Sequence, residues 1–220
     1  MSALPPADAP PALNQGAQPP AAGWFGKIPA LGDFASRRLP PEFVESWDHW
    51  LSEELFGAQQ ALGADWLESY LNAPVWRFAL RPGALDAQHW FGVLTPSVDR
   101  IGRQFPLTFA ASFVPDLDSL HRWWSTLVTV AMRAKEADCD ADALESALLV
   151  APAIEDPGPP AESFDSRVAP AWAAAATGAS LWWSWRREDP GGETVWVLDG
   201  LPRRDRFLRL ICPGFVVAAD

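Results

Sequence analysis

The sequence predicts a mixed α/β domain, with a central sheet that is at least partly antiparallel and flanked by helices, and not a doubly wound Rossmann fold. Three observations predict it. Residues 40–55 and the stretch opened by Pro115 and Asp116 carry apolar side chains at helical spacing. Short β-branched and aromatic runs recur without the regular strand–helix alternation that a parallel sheet requires. Residues 181–185 and 195–198, on either side of Asp189-Pro190-Gly191-Gly192, read as an antiparallel hairpin with a longer than minimal loop.

The bulk composition supports a folded domain. Of 220 residues, 49% are apolar and 12% aromatic, enough to bury a sizeable core. Thirteen tryptophans accompany a single tyrosine, which points to an aromatic core with some tryptophan left for a partner surface. The net charge of −11 disfavours nucleic acid and anionic membranes as partners, since both demand clustered Lys and Arg. No apolar run reaches the roughly 18 residues of a spanning helix. Neither Lys nor Arg precedes Lys27, and no apolar core of a signal peptide follows Met1, so a cytoplasmic location is expected. Cys139 and Cys212 lie far apart with no CxxC partner and read as small core residues in a reducing compartment. His49, His89 and His121 are scattered, which gives no metal-ligand spacing; neither metal nor cofactor is expected.

Along the chain, residues 1–22 are almost wholly Ala, Pro, Gln and Ser and read as a disordered tail before a single domain over 23–220. A short strand is expected around Trp24 and Phe25. In the helix over 40–55, Pro41 suits the first turn, and Phe43, Trp47, Trp50, Leu51 and Leu55 form its buried stripe. Gly57 is its expected stop. A short helix is expected over 62–71, then strands over 75–80, 89–94 and 107–114. The helix after Asp116 presents Leu117, Leu120, Trp124, Leu127, Val128 and Ala131 on one face. Asp140 caps another helix ending near Leu149. Residues 152–160, with four prolines, form a loop, and a helix over 203–210 closes the domain.

Three stretches stand out as chemistry. The first, Gly23 to Phe34, holds three glycines and Lys27. A phosphate loop would need Ser or Thr after the lysine, whereas Ile28 and Pro29 follow, so a glycine turn with Asp33 bonding backbone donors is the better reading. The second, residues 92–107, sets Ser97, Asp99, Arg100 and Arg103 between two strands. An enzyme would use Ser97 as nucleophile, but no Gly-x-Ser-x-Gly elbow or adjacent base accompanies it. An ordered loop knitted by Asp–Arg pairs is preferred, with Gly102 supplying the turn, Asp99 and Arg103 structural, and Arg100 more exposed. Asp33 is a further candidate partner for these charges, and an arginine pair awaiting an acidic group is a weaker third reading. The third stretch, Leu181 to Trp185, places Trp182 and Trp183 on opposite faces of a strand, both in core packing.

These stretches, in this order, resemble one family. Residues 23–34, followed by Arg37, Arg38, Leu39, Pro40 and the helix from Phe43, resemble the opening of TagF (ImpM) proteins. Pro74 to Phe78, Pro96 to Leu107, Leu181 to Ser184 and Gly200 to Pro202 resemble their later elements. The resemblance implies an accessory protein of the bacterial type VI secretion system, a post-translational, negative regulator that acts by protein–protein binding and not as an enzyme. It implies partners among type VI secretion proteins, with a forkhead-associated scaffold protein as one candidate. Some relatives carry a fused PP2C-like phosphatase domain, and none is expected within these 220 residues. No catalytic set is carried over; Lys27, Asp33, Arg37, Ser97, Asp99, Arg100 and Arg103 are the candidate interaction residues. The alternatives are a small serine-type hydrolase using the Ser97/Asp99 loop and a structural subunit of the secretion apparatus.

Overall fold

The computed structural model describes residues 19–136, 138–150, 164–185 and 193–213. Seven strands form one sheet: β1 (Gly23–Gly26), β2 (Ala35–Arg37), β3 (Trp76–Leu80), β4 (Trp90–Thr95), β5 (Leu107–Ala111), β6 (Ala179–Trp185) and β7 (Glu193–Asp199). Their order is β2-β1-β5-β4-β3-β6-β7, and every neighbouring pair is antiparallel. The sheet is therefore antiparallel throughout, not only in part. Its helices are α1 (Pro41–Leu62), α2 (Trp66–Leu71), α3 (Leu117–Arg133), α4 (Ala141–Val150), α5 (Ala169–Ala174) and α6 (Asp205–Ile211).

Three layers result, because the strands are buried on both faces. Period-two alternation sorts the side chains. Trp76, Phe78 and Leu80 of β3, Trp90 and Leu94 of β4 and Trp182 of β6 pack with α1, α2 and α6. Ala79, Phe91, Val93, Phe109, Leu181 and Trp183 pack with α3 and α4 on the other side. The expected opposition of Trp182 and Trp183 is realised, with one indole in each core.

The tryptophans explain their own number. Each buries a large apolar body and still needs one hydrogen-bond acceptor. Trp47 Nε1 donates to Thr108 Oγ1 at 2.8 Å, tying α1 to β5. Trp50 donates to the Pro202 carbonyl and Trp76 to the Leu210 carbonyl, each at 2.9 Å, which fastens α6 and the turn before it. On the opposite face Trp24 and Trp183 donate to Glu145 and Glu193.

Several expectations need correction. α1 does not stop at Gly57 but runs one and a half turns further, because Ala58 continues the buried stripe and Gly57 costs a helix only about 1 kcal/mol. Gly63, at φ 53°, ends it, and a 3₁₀ turn separates α1 from α2. β5 ends at Ala111, short of Val114, and α6 begins at Asp205 after Arg204, which sits at φ 49°. β2 and the π-helical turn Phe164–Val168 leading into α5 were not expected at all. Cys139 and Cys212 are free and only partly buried, with Cys139 packed against the edge of the core under α3 and α4. The last residue of the expected tail is packed, and Pro20 is tied down although exposed. Ala22 is 1% exposed, its carbonyl accepts from Arg38, and the Pro20 carbonyl accepts from Trp123 Nε1. The rest of that tail, the proline-rich loop at 152–160 and the hairpin loop at 189–192 lie outside the described residues.

Candidate interaction surface

Two loops meet at one end of the sheet. The first leaves β1 through Gly26, whose φ of 138° and close approach to the Pro106 carbonyl leave no room for a side chain. That turn sends Lys27 inward. The second loop joins β4 to β5 and reverses at Gly102, φ 84°, as its glycine predicted.

Asp99 is the hub that joins them. Its side chain is fully buried, and Oδ2 accepts from Lys27 Nζ at 2.7 Å and from Arg103 Nε at 2.6 Å. Oδ1 accepts from the backbone N–H groups of Ile101 and Arg103 at 3.1 and 2.9 Å. Burial alone would raise this carboxyl's pKa. The Lys27 ammonium and the Arg103 and Ile101 donors outweigh it and hold the carboxyl well below the usual carboxylate range. A buried carboxylate with four donors and two cations around it is a structural pin.

Ser97 and Tyr70 complete the inner layer. Ser97 Oγ donates to the Lys27 carbonyl at 2.7 Å. The Tyr70 hydroxyl donates to the Ser97 carbonyl at 2.7 Å and accepts from its N–H at 3.0 Å. Burial pushes the Tyr70 phenol far above its ordinary pKa, against the opposing pull of the Ser97 backbone. The sequence reading missed Tyr70. The available signal was its type: in a chain that uses Trp and Phe for bulk, a lone Tyr marks a place where a hydroxyl is needed.

The outer layer is built on this pin. Arg103 reaches across to the Gly32 carbonyl, and the Arg100 N–H donates to the Leu31 carbonyl at 2.9 Å. Thus the arginines engage the backbone of the first loop and not Asp33, whose carboxylate instead accepts from the Phe34 N–H at 2.8 Å. Arg100 is exposed, and Ile101 beside it is 69% exposed. Phe34, 46% exposed, stands under the Lys27 ammonium with its ring centroid 4.9 Å away, and it packs edge-on against Phe105 at 4.7 Å.

Six of the seven candidate residues therefore converge: Lys27, Ser97 and Asp99 inside, Asp33, Arg100 and Arg103 at the rim. Arg37 stands apart on β2, exposed and 3.4 Å from Asp142. Its neighbour Arg38, at φ 61°, makes the firmer contact: it pairs with Glu145 and holds α4 against the β1–β2 edge. Arg38 and Glu145 were not singled out by the sequence. Among the described residues no His, Cys, Asp and Glu group is arranged to hold a metal ion, and no helix is long and apolar enough to cross a membrane.

Known proteins resemble this chain in sequence and in overall fold. Residues 23–150, more than half of the chain, match the TagF N-terminal domain, described as type VI secretion system-associated. The crystal structure of PA0076 from Pseudomonas aeruginosa PAO1 is similar over 90% of this chain and 97% of its own, with 34% identity and a TM-score of 0.71. None of the curated proteins compared matches the chain. The matched segment contains both loops and the whole Lys27–Asp99–Arg103 cluster, and the chain belongs to the type VI secretion system-associated TagF family.

Proposed function

We propose that this chain is a cytoplasmic accessory protein that restrains type VI secretion after translation by binding another secretion protein, and that the Arg100–Ile101 tip with Phe34 forms the contact. One observation carries the reading. A fully buried ion pair and its backbone bonds hold a cation and an apolar side chain out in solvent, on a chain whose net charge is −11. A pre-ordered tip loses little entropy on docking, which is how a small surface becomes a binding hot spot. An arginine at the centre of such a patch favours an acidic partner segment. The resemblance to TagF proteins makes the forkhead-associated scaffold the first partner to examine.

The same geometry supports binding over catalysis. Ser97 is buried, and its hydroxyl proton is given to a backbone carbonyl, where a nucleophile would need a base. The test is a quantitative pull-down of the full chain from secretion-competent cells, wild type against Arg100→Glu and Ser97→Ala. Loss of one secretion protein with Arg100→Glu and its retention with Ser97→Ala is the expected result. An unchanged set of partners with Arg100→Glu would defeat the proposal, and lost control of secretion in folded Ser97→Ala would revive the hydrolase.

A further inference from the structure

A second surface lies on the other side of Phe34. α1 carries two stripes, not one. Phe43, Trp47, Trp50 and Leu51 face the core. Pro41, Val44, Glu45 and Asp48, spaced by three and four, face a groove of about 630 Å³ instead. The opposite wall is Phe34, just before edge strand β2, and Ser36 within it, and the floor includes Phe25 and Leu39. The groove is thus apolar at its base and acidic along one wall.

Those acids have no cation of their own. Among the described residues neither Glu45 nor Asp48 has an ion-pair partner, although six arginines and lysines do elsewhere: Lys27, Arg37, Arg38, Arg103, Arg167 and Arg203. Partial burial raises the Asp48 carboxyl, with the adjacent His49 only partly opposing it. A carboxylate that is part-desolvated and unpaired beside open apolar surface gains most from a cation brought by a ligand.

We infer that this groove takes an extended protein segment carrying an aliphatic side chain next to a Lys or Arg: the aliphatic group sits between Phe34 and Val44, and the cation meets Glu45 and Asp48. The net charge of −11 disfavours a second copy of this chain as the occupant, and its exposed Arg100–Ile101 pair is folded into a turn on Asp99 and is not an extended segment. The inference rests on the reading of the chain as a binding protein but not on the Arg100 tip, which would attract the opposite charge.

A phage-displayed library of random dodecapeptides, panned against the immobilised full chain, tests it. Enriched sequences should combine aliphatic with basic residues. A labelled synthetic peptide from the selection should bind about tenfold more weakly to Glu45→Lys/Asp48→Lys, one decade being what a lost charge contact of this kind removes. The control is Asp65→Lys/Glu68→Lys, which changes net charge equally at exposed positions outside the groove and should stay within about twofold. Arg100→Glu should leave this binding intact. Enriched peptides without basic residues, no enrichment, or equal losses in both double variants would overturn the inference. Melting curves of each variant show whether a loss comes from misfolding: if Glu45→Lys/Asp48→Lys unfolds, Glu45→Gln/Asp48→Asn carries the same comparison.

Discussion

Asp99 and Arg100 are neighbours in the chain and opposites in environment. The Asp99 side chain has no exposure and accepts every hydrogen bond that its two oxygens can reach. The Arg100 side chain stands in solvent, and only its backbone N–H is committed, to Leu31. One run of charges therefore serves two purposes: half of the signature holds two loops together, and half is what they display. Removing an inner member should therefore cost stability, and removing an outer member should cost recognition.

Asp99→Ala should have the largest effect. It leaves the Lys27 ammonium buried without its counter-ion and frees two backbone N–H groups at the tip. The melting temperature should fall by on the order of 10 °C, read by circular dichroism. A fall of under about 2 °C would mean that inner and outer halves do not differ. The pH dependence follows from the same carboxyl. Its native pKa lies below its unfolded value of about 3.9, so its contribution is complete above that value and is lost as pH falls through the native one. The melting temperature should therefore drop steeply below about pH 4, and Asp99→Asn should flatten that drop. Some slope will remain, because Asp116 and Glu145 are also held below the usual range.

Smaller effects sharpen the boundary between the halves. Tyr70→Phe strands the buried Ser97 N–H and should cost about 1–3 kcal/mol by denaturant titration. A chain starting at Gly23 loses the carbonyls that Arg38 and Trp123 use, at roughly 1–2 kcal/mol, whereas one starting at residue 19 should match the parent. Arg100→Glu should change stability by less than about 0.5 kcal/mol while weakening the partner pull-down. Equal stability losses for Arg100→Glu and Asp99→Ala would erase the distinction.

The elements were legible where a local rule decided them. Asp140 caps α4 by accepting from the Ala143 N–H, as its position before an apolar run predicted. The stripes of α1 and α3 and the alternation of β6 face the cores that their spacing implied. Where a local rule failed, a distant contact had won. Gly57 could not end α1 because Ala58 was already packed, and β2 exists only because β1 lies beside it. Tail and domain could not be separated at residue 22, since Ala22 looks like tail and is fastened by Arg38, sixteen residues on.

For the site the division is as clear. The motifs of the sequence carried the resemblance to the family, and residue type with short spacing, through steric and periodic rules acting over a few residues, gave the antiparallel hairpin of β6 and β7, the glycine turn at 102, and a loop that mixes one acid with two arginines. Only the tertiary structure decided that Lys27 is the partner of Asp99, 72 residues away, that Tyr70 clamps Ser97, and that the arginines grip the backbone of 31–32 instead of Asp33. It also decided which charges are desolvated and which are displayed. Burial belongs to the packed whole, and the same aspartate or arginine contributes differently once its neighbours exclude water.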